Sequence, residues 1–571
     1  MYYKLKKDSY IRQYGNYGYI TSTGLFSDRL VDHSGLAFLQ VLTRDAQTLD
    51  MLVKKICQLF KNADYNQVLI DAAEFYNDLA SNGFIASGKT LEELDLYDQG
   101  FSYQKIRSDN HMGYTYSSFE NLTPNTQEFL EKHFQENPQI VSFQIELTSR
   151  CNERCIHCYI PHENKLFDIK PELYYSVLEQ LEKMGTFGLT LSGGEPLLHP
   201  QFKEFLIAAK EKDFYISVLS NLTLLTEEII EAMKYKNKCS VQVSLYSMIP
   251  EHHDAITTIP GSFEKTKKAI LRLIENDIPV QISCPTLSVN KDDYKSVLKW
   301  AHGNNVRAIT DFSIMAKYNH DTGNLTSRLS PVETESVILQ ILEEDEEYRE
   351  RILGEDFIAQ MENFTIDPEA PLCGVGISSC CMVANGNVYP CSGWQDYVCG
   401  NLYQNTLDEI WRDSQEFRYL RSLRKKDLEE CLTCDNRAFC KPCMVRNFNE
   451  SQNKDPLEIN RHFCDVAAIN KKVVYEWRRK YMNKEKDVEL ISNLIIENIK
   501  KYDIRADQAL SEQIIAQQIL GNIDLEKRSL FNEAVDKLSQ EGILKLDDEK
   551  HSGRLILTMK GEKTIYKNMQ F

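Results

Sequence analysis

The sequence predicts an α/β protein built on a parallel β-sheet, open or curled into a partial barrel, with smaller modules before and after it. Between residues 138 and 320, short apolar runs alternate with stretches whose apolar residues fall at helical spacing. The strand candidates are VSFQIELT, FGLTLS, YISVLS, SVQVSLYS, VQISCPTL and AITDFSI. Such βα units in series are typical of parallel sheets, because each helix carries the chain back to start the next strand.

Length and composition define the class of protein. A chain of 571 residues exceeds what one hydrophobic core usually supports, so we expect three or four domains. Its net charge of −18 disfavours a nucleic-acid partner, since such a surface repels phosphate. The N-terminal segment lacks a signal-peptide core, and no apolar run has the roughly 18 residues that span a bilayer. We therefore expect a cytoplasmic protein without a membrane partner.

The two ends of the chain predict winged-helix-like modules. Residues 1–100 open with short β-type runs, continue with helical patterns and close on YNDLASNGFI, a helix that leads into a strand. Residues 485–571 contain helical patterns followed by a predicted hairpin whose turn lies near Ser552 and Gly553. An acidic helical linker at residues 321–370 precedes a Cys-rich segment at 371–470 with weak periodicity, where bound metal would replace a core.

The sixteen cysteines are concentrated in two places. Three lie within residues 151–158 and ten within 373–464. Cytosolic thiols are kept reduced, so metal ligation is favoured over disulfides. The separate Cys57, Cys239 and Cys284 are interpreted as core packing residues.

The first motif is CNERCIHCY, which follows directly on the first predicted strand of the sheet. Ligand sites of parallel α/β sheets lie at the carboxyl ends of strands. Thiolates of Cys151, Cys155 and Cys158 can hold three irons of a 4Fe-4S cluster and leave the fourth iron open. The alternative is one helical face whose cysteines are buried or bind zinc together with His157.

The second motif, LSGGEP, lies at the end of the second predicted strand. Glycines allow close backbone approach, so main-chain groups here can bind an ammonium group, with Glu195 as a fixed acceptor nearby. A lone motif of this type is equally typical of a simple turn.

Together the two motifs resemble the radical S-adenosylmethionine (SAM) superfamily over residues 140–315. The resemblance implies a partial (β/α)6 barrel, SAM as cofactor or co-substrate, and hydrogen-atom abstraction from an unactivated C–H bond. The SAM-binding residues implied by the resemblance are Gly193, Gly194, Glu195, Pro196, Ser220, Asn221 and Ser244. For the two serines and the asparagine among them, ordinary hydrogen bonding at strand ends is the alternative.

The Cys-rich segment resembles the SPASM domain of radical SAM enzymes that act on peptides and proteins, including Gly386 and the stretch GNLYQNTLDEIW. The resemblance implies two auxiliary 4Fe-4S clusters, and hence three clusters in all. The first would use Cys373, Cys391 and Cys443 with Cys380 or Cys381; the second would use Cys431, Cys434, Cys440 and Cys464.

The segment departs from the SPASM pattern between Cys440 and Cys443, which two residues separate instead of three, so the Cys443 assignment is less secure. The choice between Cys380 and Cys381 leaves open whether the first auxiliary cluster has a free iron. Cys399 is interpreted as a bystander. Structural zinc sites are the alternative for the whole segment.

The N-terminal module resembles the PqqD-like recognition element of enzymes that mature ribosomal peptides. Such a module binds a leader peptide by adding it as a strand to a sheet edge. A structural or oligomerisation domain is the alternative. For the C-terminal module, packing or dimer contact, peptide contact and DNA contact remain open.

These resemblances imply a radical SAM peptide maturase that acts on a ribosomally made precursor and receives electrons from a flavodoxin or ferredoxin type of donor. Thioether formation, as in sactipeptides and ranthipeptides, is the first expectation, and a carbon-carbon or carbon-oxygen cross-link the next. The alternatives are a sulfatase-maturing type of oxidation and a non-catalytic iron-sulfur redox regulator. No carboxylate or tyrosine has a spacing that singles it out as a catalytic acid or base.

Overall fold

The computed structural model describes residues 1–24, 27–98, 100–103, 124–161, 167–236, 239–546 and 554–567. The chain divides into two compact units, one of residues 1–345 and 361–470, the other of residues 346–360 and 471–571. The finer domain boundaries stay predictions.

In its described residues, the N-terminal region forms two small antiparallel sheets and several helices. The strands are β1 (Tyr2–Leu5), β2 (Ser9–Tyr14), β3 (Tyr17–Ser22), β4 (Ser27–Val31), β5 (Gln47–Thr48) and β6 (Ile85–Gly88); the helices are α1 (His33–Gln40), α2 (Leu49–Leu59), α3 (Tyr65–Ser81) and α4 (Leu91–Tyr97). β1 lies between β5 and β6, and β3 between β2 and β4. Buried Tyr3, Ile20, Leu52 and Tyr76 share one apolar core. The winged-helix identity of this region stays a prediction.

A parallel sheet forms the centre of the larger unit. Its strands are β7 (Ser142–Thr148), β8 (Gly188–Gly193), β9 (Tyr215–Ser220), β10 (Ser240–Ser244), β11 (Val280–Ser283) and β12 (Arg307–Ile309). They lie side by side in chain order, each parallel to its neighbour. Every strand candidate of the sequence coincides with one of them, so the α/β prediction is confirmed.

The helices that alternate with these strands bury one apolar face each. They are α6 (Pro171–Lys183), α7 (Phe202–Glu211), α8 (Glu227–Lys234), α9 (Pro250–Thr257), α10 (Ser262–Glu275) and α11 (Tyr294–Gly303), preceded by α5 (Pro124–Glu136). In α10, Phe263, Ile270 and Ile274 fall at helical spacing and are buried. On β7, Phe143 and Ile145 belong to the same core.

The Cys-rich region extends the central sheet. After α12 (Pro331–Glu344), α13 (Glu346–Leu353) and α14 (Phe357–Glu362), it contains β13 (Ser379–Met382), β14 (Asn387–Tyr389), β15 (Gly400–Asn401), α15 (Leu407–Asp413), α16 (Gln415–Ser422), α17 (Glu429–Leu432) and α18 (Met444–Glu450). β13 pairs in parallel with β7 and sets Cys381 opposite Gln144. The sheet order then ends at β12 on one side and at β15 on the other, so this sheet is open.

The long helix α19 (Arg461–Lys501) leads into the smaller unit, which adds α20 (Phe531–Gln540), β16 (Leu544–Leu546), β17 (Leu555–Leu557) and α21 (Met559–Ile565). Ile491, Ile495 and Ile499, one turn apart on α19, belong to its core. β16 and β17 pair antiparallel as expected; the predicted turn at Ser552 and Gly553 lies outside the described residues. Among the described helices, none is long and apolar enough to cross a membrane.

Candidate functional site

The first cysteine motif forms an irregular loop after β7 rather than a helix, and Cys151, Cys155 and Cys158 are all partly buried on it. Two carbonyls at the end of α9 hold the loop, because Arg154 N donates to Thr257 O at 3.0 Å and Ile156 N to Ile256 O at 3.0 Å. Because the loop follows β7 directly, the three thiols lie near the carboxyl end of this strand, where parallel sheets bind ligands.

The two glycines of the second motif fit against the backbone of this cysteine loop. A Cβ on Gly193 would lie 2.3 Å from the Thr148 carbonyl oxygen, and one on Gly194 would lie 2.2 Å from that of Arg150. Gly193 also has φ of +144°, which favours glycine. The glycines thus allow β8 to approach the loop that carries the thiols.

Glu195 is buried and uses both carboxylate oxygens inside the protein. Oε1 accepts from Ser220 Oγ at 2.8 Å and from Leu197 N at 3.0 Å, while Oε2 accepts from Asn221 N at 2.8 Å. Burial raises the pKa of Glu195 to about 7. The carboxyl joins the ends of β8 and β9, and in this structure its contacts are to protein groups.

A side-chain network connects the end of β9 to the cysteine loop. Asn221 Nδ2 donates to Asn152 Oδ1 at 3.0 Å, and Asn152 Nδ2 donates to Thr223 Oγ1 at 2.7 Å. Beyond β10, which ends at Ser244, the Tyr246 hydroxyl lies 3.8 Å from Cys155 Sγ. Sequence reasoning missed Asn152 and Tyr246, although their positions just after strand ends could have pointed to them.

The Cys155 thiol is in surroundings that suit a metal ligand. The pKa of Cys155 is raised well above its usual value by burial and then by neighbouring Glu153. A thiol in such surroundings stays protonated unless a metal ion binds it, and coordination to iron would deprotonate it. The residues present therefore suit the iron-sulfur cluster that the spacing predicts.

In the Cys-rich region, Cys373, Cys391 and Cys443 come together from separate segments. The pKa of Cys373 is raised by burial and by Cys443, and that of Cys391 is raised to about 11 by burial and by both other thiols. This trio of cysteines is the set that the resemblance implies for the first auxiliary cluster. It includes Cys443, whose assignment from the sequence was the less secure one.

Cys380 and Cys381 point to opposite faces, because successive residues of a strand alternate. Burial raises the pKa of both thiols well above the usual value, but their neighbours differ. After burial, the charges that most affect the pKa of Cys381 are those of Cys391 and Glu146, followed by Cys380 and Cys399, whereas those that affect Cys380 are Cys399 and Arg421. Cys381 therefore lies on the side of the trio, and Cys380 packs into the main core with Cys399.

The other four thiols form a second group. Burial and then Cys464, Cys431 and Cys434 raise the pKa of Cys440 to about 11. Three of these thiols, Cys431, Cys440 and Cys464, line a cavity of about 30 Å³ beside Arg446, and Cys443 of the first trio lines the same cavity. Together with Cys434, the three are the set implied for the second auxiliary cluster.

Tetrahedral zinc is the alternative occupant of these thiols. In the part of the chain that the structure describes, no three His, Cys, Asp or Glu side chains converge closely enough to hold one metal ion. Tetrahedral zinc needs its ligands about 2.0–2.3 Å from the ion. The choice between zinc and an iron-sulfur cluster in this region therefore stays a prediction.

Family comparison agrees with this geometry. Residues 145–301 match the model of the radical SAM superfamily. The chain contains a radical SAM domain. Residues 373–435 match the SPASM model, described as an iron-sulfur cluster-binding domain. Residues 9–106 match a model named for the C-terminal part of tubulin folding cofactor D, which is unrelated to leader recognition, so the PqqD-like interpretation is not confirmed.

Two curated proteins illustrate what this chain is similar to. The AdoMet-dependent heme synthase of Methanosarcina barkeri is 24% identical over 54% of this chain and 92% of the relative. AlbA, the subtilosin biosynthesis protein of Bacillus subtilis, is 25% identical over 56% of this chain and 70% of the relative. The protein is therefore related to radical SAM enzymes of peptide modification and of heme synthesis.

Solved structures extend the likeness in fold. SuiB of Streptococcus suis bound to S-adenosylmethionine has a TM-score of 0.51 at 16% identity, covering 81% of this chain and 99% of SuiB. SuiB bound to its precursor peptide SuiA has a TM-score of 0.50 at 13% identity, covering 80% of this chain and 99% of that chain. At such identity the likeness shows the fold alone.

Proposed function

We propose that this protein is a radical SAM peptide maturase that forms an intramolecular thioether in a ribosomal peptide. The observation that carries the proposal is the parallel pairing of β13 with β7, which brings Cys381 beside the strand that ends in the first cysteine loop. A substrate held near this pair of strands would lie close to both a radical source and an auxiliary cluster.

The chain offers ligands for each cofactor. Cys151, Cys155 and Cys158 would hold three irons of the first cluster. The backbone after β8 and the polar ends of β9 and β10 would bind SAM. Bound together, SAM and this cluster supply a 5′-deoxyadenosyl radical that removes a hydrogen atom from a C–H bond.

The N-terminal region would capture the leader of the precursor peptide. β2 and β4 are the end strands of their sheet, so either edge could accept an added strand. Binding the leader raises the effective concentration of the core peptide at the radical site. A cytoplasmic flavodoxin or ferredoxin type of protein would supply the electron.

The test of this function is the iron and sulfide content of anaerobically reconstituted protein. We expect about twelve irons in the wild type and about eight when Cys151, Cys155 and Cys158 are all replaced by Ala. Only the wild type should form 5′-deoxyadenosine from SAM under reducing conditions. About four irons together with bound zinc, or no 5′-deoxyadenosine, would contradict the proposal.

A second candidate is heme synthesis, which the coverage of the Methanosarcina barkeri relative favours. The two functions differ in substrate. Anaerobic assays that offer either a Cys-containing precursor peptide or a heme precursor would separate them. SAM cleavage stimulated by the peptide alone supports the maturase.

A further inference from the structure

Arg446 is a partly buried cation in the first turn of α18, three residues after Cys443. Its side chain is 24% exposed. It lines the same cavity of about 30 Å³ as Cys431, Cys440 and Cys464. Three of the four thiols of the second group therefore share this cavity with the guanidinium group, whereas the trio contributes only Cys443 to it.

Packing and hydrogen bonds fix Arg446 at the wall of the cavity. Its guanidinium carbon lies 4.6 Å from the centre of the Phe463 ring, and Phe463 lines the cavity and directly precedes Cys464. Asn447, the next residue on α18, is buried, and its Oδ1 accepts from Asn460 N at 3.2 Å. These contacts join α18 to the start of α19, so the cation keeps its place beside the thiols.

In the part of the chain that the structure describes, the positive charge of Arg446 has only a distant acidic partner. A guanidinium nitrogen lies 3.7 Å from Asp311 Oδ2, and the side chain of Asp311 is 65% exposed. Arg328 packs on the same Phe463 ring at 5.2 Å, but it donates to both carboxylate oxygens of Glu450. An arginine stays protonated in proteins, and a long, solvent-exposed ion pair offsets little of its charge. Arg446 therefore directs an uncompensated positive charge at the cavity.

A positive charge at this place acts on thiolates and on the group they would bind. Burial and then the other three thiols of the second group raise the pKa of Cys440, and Arg446 lowers it. An iron-sulfur cluster held by four thiolates is an anion, and its reduction adds one further negative charge. The reduction potential of such a cluster depends on its net charge and on its surroundings. A nearby cation therefore stabilises the reduced state more than the oxidised state.

We propose that Arg446 raises the reduction potential of the second auxiliary cluster, a role that depends on the function proposed above. Thioether formation takes one electron from the peptide, besides the hydrogen atom that passes to the 5′-deoxyadenosyl radical and the proton that passes to solvent. By stabilising the added negative charge, Arg446 favours transfer of this electron to the second auxiliary cluster. The peptide is thereby oxidised by that electron and the cluster is reduced by it.

The test is a redox titration of the reconstituted holoenzyme, followed by electron paramagnetic resonance. Cys434→Ala identifies the signal of the second cluster, because it removes one thiol of that group. At a fixed potential, we expect Arg446→Met to lower the ratio of reduced to oxidised second cluster about tenfold, which corresponds to a potential about 59 mV more negative. Arg446→Lys keeps the charge and should stay close to the wild type.

Lys441→Gln is the matched control. Lys441 lines the same cavity but is exposed, so solvent screens its charge and its loss should change the potential much less. Arg446→Gln is measured in parallel, because it removes the charge and keeps a polar side chain.

Two sets of outcomes separate this inference from the proposed function. In a wild type that holds about twelve irons, the inference alone is overturned by an unchanged potential in Arg446→Met and Arg446→Gln, or by an equal shift in Arg446→Lys or Lys441→Gln. Zinc in place of iron in the wild type overturns the proposed function and this inference with it.

Discussion

The two cysteine regions of this protein assemble their thiols in different ways. The first uses Cys151, Cys155 and Cys158 on one short loop, which is held by backbone hydrogen bonds to α9 and by close contact with the glycines at the end of β8. The second joins Cys373, Cys391 and Cys443 from separate segments. A site on one loop should therefore respond to changes in the backbone, and a site from several segments to loss of individual thiols.

The largest effect is expected from Gly194→Ala. The new methyl group would lie 2.2 Å from the Arg150 carbonyl oxygen and must displace the cysteine loop, at a cost of about 1–3 kcal/mol. We expect SAM cleavage to fall more than tenfold while the auxiliary clusters remain. Gly303→Ala is the matched control, because a Cβ there meets nothing within 4 Å.

The second largest effect is a difference in iron content between the Cys381→Ala and Cys380→Ala variants. Cys381→Ala should lose the first auxiliary cluster or make it labile, lowering the iron content by up to about four, because Cys381 lies beside Cys391. Cys380→Ala should keep that cluster. Loss of iron from Cys380→Ala but not from Cys381→Ala would contradict the placement of Cys381, rather than Cys380, on the side of the trio.

Low pH should lower the stability of the fold around the first cysteine loop, because His253 is buried on α9. Desolvation lowers the His253 pKa to about 4, below its usual 6.5, so the unfolded chain takes up the proton first. Stability is then fully present above pH 6.5 and decreases as the pH falls toward 4, by about 1–3 kcal/mol. His253→Gln should remove most of this loss in denaturant unfolding compared at pH 7.5 and pH 5.

The smallest effect is expected from Cys399→Ala. Cys399 is buried in the main core together with Cys380, so its loss leaves only a small cavity. We expect an unchanged iron content and a stability loss of about 1 kcal/mol. A drop in iron would show that Cys399 is a ligand and not a bystander.

The sequence alone determined which segments form the parallel strands and where along the chain the first cysteine motif follows a strand. Both are local features: alternating apolar runs fix strands and helices, and VSFQIELT placed CNERCIHCY at a strand end. The radical SAM and SPASM interpretations were confirmed because their motifs are short and specific. The leader-binding interpretation had only a pattern to support it, and it is not confirmed.

Only the tertiary structure decided how distant residues meet. Nothing in the sequence shows that β13 joins β7, so Cys380 could not be separated from Cys381. Likewise, the network from Glu195 to Ser220 and Asn221 depends on β8 lying beside β9. Strand pairing and side-chain burial bring together residues that lie far apart in the chain, and local periodicity does not show which of them will meet.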